Sequence, residues 1–500
     1  MKRILRQTSL FIVLIPLFFV LHVTVANLSY ISWGDALLAV VLYTLVFSIV
    51  YFLLRFIFRN GHKAGLLLFV FQIIFFFFSS FHSSLKTLTH NGLLSSYSFL
   101  LPSIALLIVL VIIWLRKSGK NFYTLNQFIN SIALFLILSE LFLLVYGHYL
   151  RNTTKSVAVQ RELKIRIPDS LKRNCYFLIY DAYAHSSYLK KRFGYTNPLD
   201  SLLANQGFYV YPKSKSNYNF THFSIASALN IKYAQGLRND SVTREDYARA
   251  LNEIRNNSMV PYFESNGFRF INLSFFDIKH HPAVIQSNYL PKGLVLFNEL
   301  TFFSHVYEDI GWHLFDPKNP KLQQLVYHRL NEQKKSNQTI DEEIERYLSE
   351  TSRVPILVYA HYNMPHPPYF FDSSGNERPL SLVYSELKDE TKGSNLYLPH
   401  LVFTNKKILA VVNKIMTAEK GNAVIIIAGD HGNREKNTRD EMFDNFTAIY
   451  TPAQYRHLLK KDSISLINVF PTVLNAVYGQ NVPFMPDSQF FLSDAPGSKW

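Results

Sequence analysis

Ala423-Val424-Ile425-Ile426-Ile427-Ala428-Gly429-Asp430-His431-Gly432 is the stretch that decides the fold. Its apolar run has the length and β-branched content of a buried strand, and Gly429 marks where the strand stops. A carboxylate and an imidazole side by side at a strand's C-terminal edge can bind one divalent cation. Alone, an Asp-His pair is common in any long chain. Two further stretches give it weight. Tyr176-Phe177-Leu178-Ile179-Tyr180 is a second apolar run and ends in Asp181. Asn217-Tyr218-Asn219-Phe220-Thr221-His222-Phe223-Ser224 offers a hydroxyl nucleophile. The ordered set of strand-Asp, Thr-x-x-Ser and strand-Gly-Asp-His-Gly says more than any one member.

Outward from these motifs, the chain divides sharply. Its first third is nearly all apolar, and the remainder has ordinary globular composition. A bilayer-spanning helix needs about 20 apolar residues. Windows near Thr8–Ala26, Ala36–Leu54, Ala64–Phe81, Ser98–Leu115 and Phe128–Tyr149 meet that length, which predicts five spans. The first window lacks a small-residue cleavage site and is followed by more spans, so it reads as a retained anchor rather than a signal peptide. Lys2, Arg3 and Arg6 precede the first span. Arg55, Arg59 and Lys63 fall between the second and third, and Arg116, Lys117 and Lys120 between the fourth and fifth. The opposite loops carry little beyond Lys86. The positive-inside rule then places the N-terminus in the cytoplasm. Five crossings put everything after Tyr149 on the outer side. In a bacterium this is a multi-pass protein of the plasma (inner) membrane with a periplasmic or extracellular domain.

The formal charge of +15 does not point to nucleic acid. Part of the excess is the loop charge just described. Lys164, Arg166, Lys172 and Arg173 follow the last span, where they suit anionic membrane lipids. One cysteine, Cys175, excludes an intrachain disulfide and a multi-cysteine metal site. It begins an apolar run and reads as a small core residue. Glu140 is the one acid well inside a span, where a carboxylate reads as functional, as locally paired or as a contact to the outer domain. The spans otherwise lack the polar pathway of a transporter.

The predicted organisation is an anchor over 1–150, a basic connector over 151–172 and an outer domain over 173–500. At about 330 residues that domain is ample for one α/β core. Strands are expected at Tyr176–Tyr180, Phe268–Leu273, Pro355–Ala360 and Ala423–Ala428. Helices are expected at Pro198–Gln206, Leu401–Met416 and Ile464–Tyr478, and a surface helix within Glu332–Arg353. Apolar strands alternating with amphipathic helices predict a mostly parallel sheet covered on both faces. Chemistry in such sheets collects beyond the carboxyl ends of the strands. Asp181, His361 and Asp430-His431 all sit at such ends.

Each candidate has a plainer reading. Asp181 is a helix cap or a metal ligand. Thr221 opens a small-residue helix, where it caps the helix or attacks an anionic ester held by free backbone N–H groups. Coordination to a cation would make its hydroxyl competent. His361-Tyr362-Asn363-Met364-Pro365-His366-Pro367-Pro368 reads as a rigid proline loop whose histidines contact charged substrate oxygens, protonate a leaving group, or merely lie in a surface turn. His280-His281 near Asp277 reads as loop. The triplet Asn219-Phe220-Thr221 reads as a chance glycosylation match.

Taken together, these residues resemble the alkaline phosphatase/sulfatase superfamily. They are most similar to its membrane-anchored phosphoethanolamine and phosphoglycerol (lipoteichoic-acid-type) transferases. The resemblance covers essentially the whole chain. It implies a five-helix anchor followed by an outward α/β catalytic domain. It also implies roles: Asp181, Asp430 and His431 as ligands of one divalent ion, zinc or manganese, with Thr221 as nucleophile and ligand. Ser224 matches the serine three residues on. His366 and His361 match the substrate-contacting histidines. The transferases carry Glu in a Gly-Glu-Ser context where this chain has Asp181; Asp is usual in the phosphatases, phosphodiesterases and sulfatases. The Cys/Ser-x-Pro-x-Arg of true sulfatases is absent at Thr221, which argues against formylglycine chemistry. No further histidine follows closely on His431, so a second metal is unsupported.

The expected activity is metal-dependent transfer of a phospholipid headgroup, such as phosphoethanolamine or phosphoglycerol, to an envelope glycan or lipid through a phospho-threonine intermediate. The alternatives are a phosphodiesterase or ester hydrolase of the same superfamily, or a catalytically silent glycan-binding member.

Overall fold

The computed structural model describes residues 9–26, 31, 33–89, 92–153, 166–234, 237, 241–285, 294, 297–298, 300–306, 320–350, 354–388, 396–434 and 438–494. The expectations for Lys2, Arg3, Arg6, Lys164 and most of the 151–172 connector lie outside these residues. By contact, the chain divides into two units. One comprises Met1–Ala158 and Asn288–Gln323, the other Val159–Ser287 and Gln324–Trp500.

The first unit contains α1 (Phe11–Ala26), α2 (Trp33–Phe58), α3 (Gly61–Thr89), α4 (Tyr97–Lys117) and α5 (Tyr123–Thr153). Four stretches, in α2 to α5, are long and apolar enough to cross a membrane. α1 has 16 described residues, roughly 24 Å at 1.5 Å per residue, shorter than a bilayer core of about 30 Å. The described helices thus give four spans of full length where five were expected. α1 is pinned by polar side chains rather than by fit alone. Asn130 Oδ1 accepts from Phe11 N–H at 2.9 Å, and Gln72 Nε2 donates to Ile12 O at 2.9 Å. Phe19 stacks on Phe76 with ring centroids 4.4 Å apart. Glu140 finds its partner within the unit: its Oε1 lies 2.8 Å from His22 Nδ1.

A later part of the chain also belongs to this unit, which the expected boundary at 150 did not foresee. Leu294 and Phe297 are buried in the same core as Phe11, Ile15 and Phe76. His305 Nε2 lies 2.9 Å from His82 Nδ1, and Ser79 Oγ lies 3.2 Å from His305 Nδ1.

The second unit is built on one six-stranded sheet. Its strands are β1 (Asn174–Tyr180), β2 (Tyr209–Val210), β3 (Arg269–Leu273), β4 (Ile356–Tyr362), β5 (Ala423–Ala428) and β6 (Thr447–Tyr450), in the order β2-β6-β5-β1-β4-β3. β1 pairs in parallel with β4 and β5, and β3 in parallel with β4. β6 runs antiparallel to β5, and β2 antiparallel to β6. The sheet is mostly parallel, as the apolar runs predict. Its short antiparallel edge was not expected.

Side chains alternate between faces along each strand. Cys175, Phe177, Ile179, Tyr359, Ile426 and Ala428 face one side. There they pack with Phe223, Ile225 and Ala226 of α6 (Thr221–Asn230) and with Phe470 of α8 (Val469–Ala476). Tyr176, Leu178, Tyr180, Val358 and Ile427 face the other, against Leu401, Ile408 and Val412 of α7 (Tyr397–Ala418) and Ile340 and Ile344 of the helix Pro320–Ser349. Helices therefore cover both faces. Cys175 is free and fully buried, the core residue expected. Two element boundaries need correction. β4 continues through His361 and Tyr362, so His361 is a strand residue rather than part of the proline loop. Ile464–Tyr478 is not one helix: Ser463–Ser465 is a strand and Leu466–Asn468 a 3-10 turn before α8 begins.

Candidate metal centre and active site

Register brings the two carboxylates together. Ile179 of β1 is opposite Ala428 of β5 and, on its other side, opposite His361 of β4. Two residues beyond Ile179 and Ala428 come Asp181 and Asp430. Neighbouring strands lie about 4.8 Å apart, so parallel pairing delivers both carboxylates to one spot. Alternation aims them to the face that α6 covers, where Thr221 is the first helical residue.

The three ligand candidates converge. His431 Nε2 is 3.4 Å from Asp181 Oδ1 and 3.5 Å from Asp430 Oδ2. One donor atom from each residue lies within 4.8 Å of the others, and all three side chains are buried. Asp181 Oδ1, Asp430 Oδ2 and His431 Nε2 have no hydrogen-bond partner. Buried polar atoms are normally paired, and here the orphans are the same three atoms that face one another. Ligands about 2.1 Å from a tetrahedral cation sit about 3.4 Å apart, which these separations match.

The remaining atoms of the group are occupied in ways that hold this arrangement. His431 Nδ1 lies 2.7 Å from Gly432 O, so Nδ1 donates and the Nε2 lone pair faces the carboxylates. Asp430 Oδ1 accepts from Ala182 N–H at 2.9 Å. Ala182 itself has φ 60°, a left-handed backbone that turns the chain sharply after Asp181. Gly429 and Gly432 flank the pair because backbone passes too close for a side chain. A Cβ on Gly429 would meet Tyr183 O at 2.3 Å, and one on Gly432 would meet Glu441 O at 2.7 Å.

The electrostatics are those of two carboxylates sharing one dry site. Burial, and then the neighbouring Asp430, push Asp181 well above the usual carboxylate range. Asp430 is held low: burial opposes its charge, but the His431 and His361 imidazoles, the nearby Thr221 hydroxyl and the Ala182 N–H outweigh that. Burial pushes His431 down to about 4, so it is neutral and able to ligate.

Thr221 is buried at the start of α6, close enough to Asp430 to act on its charge. It is not the cap of its helix; Phe220 occupies that place. Ser224 is buried and donates to Tyr218 O at 2.9 Å, a local brace. His361 Nδ1 is 2.8 Å from the Tyr359 hydroxyl, and its buried Nε2 has no partner. Burial pushes His361 down to about 4, against the opposing pull of Asp430. The His366 loop is tied to the centre by His366 N–H donating to Asp181 O at 3.1 Å. His366 Nδ1 lies 2.6 Å from Pro367 O, and Arg434 Nη2 lies 3.3 Å from His366 Nε2. Nδ1 therefore donates to the carbonyl and Nε2 accepts from Arg434.

Arg434 is a site residue that the sequence reading passed over. It sits in the polar run Gly432-Asn433-Arg434, and being the first cation after the Asp-His pair was its only signal. His280-His281 stays apart from the centre, with His281 Nε2 2.8 Å from Glu264. Asn219 is spent on structure: it donates to Leu492 O at 2.9 Å and accepts from Leu492 N–H at 2.8 Å.

No protein-family model and no curated protein matches the sequence. Solved structures do. The chain is similar to the C-terminal periplasmic domain of phosphoethanolamine transferase EptC from Campylobacter jejuni, at 13% identity over 65% of this chain and 96% of that one, with TM-score 0.38. It is similar to the zinc complex of the corresponding EcEptC domain from Escherichia coli, at 10% identity over 64% and 86%, with TM-score 0.37. It is also similar to the phosphonate monoester hydrolase of Agrobacterium radiobacter, at 11% identity over 61% and 74%, with TM-score 0.39. Overlap at this level transfers no residue role, and the assignments rest on this chain's own geometry.

Proposed function

We propose that this protein is a metal-dependent phospho-transfer enzyme of the alkaline phosphatase/sulfatase type, using Thr221 to take a phospholipid headgroup at the outer face of a plasma membrane. The observation that carries the reading is the convergence of three orphaned buried atoms, Asp181 Oδ1, Asp430 Oδ2 and His431 Nε2, beside a buried hydroxyl. These residues fit one divalent cation, zinc or manganese by their mixed O/N donors. Bound there, it would neutralise the carboxylates, act as a Lewis acid on the phosphoryl group and favour the ionised hydroxyl.

The chain's own residues supply the rest. Thr221, the buried first residue of α6, holds its hydroxyl beside Asp181, Asp430 and His431. Thr221 Oγ forms a bond to phosphorus as the bond from phosphorus to the lipid alcohol breaks. Thr221 gives up its hydroxyl proton to solvent and the departing alkoxide takes one up, so protons balance; with Tyr359 donating to Nδ1, His361 Nε2–H is free to hydrogen-bond a substrate oxygen. A glycan or lipid hydroxyl then takes the group from Thr221, and water in its place would make the protein a hydrolase. A headgroup donor suits a chain with four helices fit to span a membrane. Loop charge adds the proposed orientation, with the N-terminus cytoplasmic and the catalytic unit outside.

The test is purified full-length protein with Mn²⁺ or Zn²⁺ and a fluorescent phospholipid, wild type beside Thr221→Ala, followed by intact-mass analysis. A covalent adduct in wild type that Thr221→Ala lacks is the expected result. Wild type that holds metal but forms neither adduct nor product would sink the reading and favour a silent binding protein.

A further inference from the structure

Arg434 is a half-buried cation with an unusual set of neighbours. Its guanidinium lies 5.2 Å over the ring of Phe220, the residue immediately before Thr221. Its Nη2 meets the lone pair of His366 Nε2. Among the described residues no carboxylate lies within ion-pair distance of it. Arg434 acts on Asp181 through space but forms no salt bridge with it, so its forked N–H groups remain for an arriving anion. Its placement says which anion. Phe220 leads into the nucleophile, and the His366 backbone is hydrogen-bonded to Asp181, so Arg434 is bracketed by the two halves of the reacting centre. The forked N–H groups of arginine suit two oxygens of one phosphoryl group.

We propose that Arg434 binds the substrate's non-bridging phosphoryl oxygens and fits the site to a singly charged phosphodiester. The inference rests on the phospho-transfer reading above. The charge count supports it. Asp181 and Asp430 carry two negative charges, which a divalent cation cancels, and Arg434 leaves one positive charge. A phosphodiester monoanion neutralises that sum, whereas a phosphomonoester dianion leaves a net negative charge among buried groups. His366, with Nδ1–H committed to Pro367 O, acts as a positioning residue that aims the guanidinium.

The experiment uses the full-length chain in detergent with Mn²⁺, as wild type, Arg434→Gln, Arg434→Lys, Thr221→Ala and the double variant Thr221→Ala/Arg434→Gln. Metal content is measured by mass spectrometry, and turnover of bis(4-nitrophenyl) phosphate is compared with that of 4-nitrophenyl phosphate at pH 8. Binding of diethyl phosphate, an unreactive monoanion, is measured by calorimetry on the two Thr221→Ala proteins. Expected results are unchanged metal content in Arg434→Gln and diethyl phosphate binding weakened about tenfold or more by loss of Arg434. A kcat/KM lower by about a hundredfold and recovery of part of it in Arg434→Lys would complete the pattern. Wild type should prefer the diester. Diethyl phosphate binding that ignores Arg434, metal loss in Arg434→Gln, or equal use of the monoester would overturn the proposal. Diethyl phosphate binding that needs Arg434 in the Thr221→Ala background, beside a wild type that forms no adduct, would instead sink the phospho-threonine reading and leave Arg434 as an anion site.

Discussion

Thr221, Asp181 and Asp430 set the sharpest expectations at the scale of single residues. Thr221→Ser keeps a hydroxyl at the same place and should still form the adduct, about tenfold more slowly, whereas Thr221→Ala should lose about a thousandfold or more in rate. Intact mass after a short incubation separates the two. Asp181→Asn makes a less intuitive prediction. In the metal-free protein Asp181 and Asp430 are two acids in one dry site, and burial together with Asp430 already raises Asp181. Removing one of them should leave the metal-free protein no less stable than wild type, while abolishing tight metal binding. Thermal melting with and without EDTA checks this: EDTA should lower the midpoint of metal-loaded wild type and leave that of Asp181→Asn unmoved. A variant that melts well below metal-free wild type would contradict the ligand assignment.

The strand-turn of β5 carries the constraint at the scale of elements. Gly429→Ala would drive a Cβ onto a backbone carbonyl, which flexible side chains cannot relieve. A loss of about 2 kcal/mol or more is expected, measured by denaturant unfolding, together with loss of bound metal. At this scale the sequence is readable where signals are local. The apolar runs of β1 and β5 name their own carboxyl ends, and a strand end is where a parallel sheet does chemistry. Local signals fail where partners are remote. His361 looks like the start of a proline loop because Pro365, Pro367 and Pro368 dominate the stretch. Pairing with Ile179 across the sheet makes it strand instead. Thr447–Tyr450 is too short to stand out, and pairing with β5 and β2 makes it a strand. Arg434 lies in a run that reads as a solvated turn, and nothing in the chain order says that His366 and Phe220 will flank it.

For the whole molecule, acid stability follows from buried imidazoles. Burial pushes His222, His361, His366, His400 and His431 each down to about 4. In an unfolded chain histidine titrates near 6.5, so between about 6.5 and 4 the unfolded state takes up protons that the folded state refuses. Stability is complete above about 6.5 and is lost as pH falls toward 4. In metal-free protein Asp181, raised rather than lowered, works in the opposite sense and offsets part of the loss. A falling melting midpoint from pH 7 to pH 5, steeper than the reference slope of a His400→Gln variant, is the expected result. Membrane orientation has its own check: in intact spheroplasts, added protease should reach a C-terminal tag and spare an N-terminal one.

The return of the chain to the first unit also matters to anyone who would cut this protein in two. Leu294, Phe297 and His305 have their packing and hydrogen-bonding partners among α1 to α3. Those partners vanish if everything before residue 159 is deleted. In a fragment starting there, Leu294, Phe297 and His305 would lose the surfaces they pack against. Such a fragment should clump or cling to detergent, whereas one that also replaces 288–323 with a short polar bridge should stay dispersed in water.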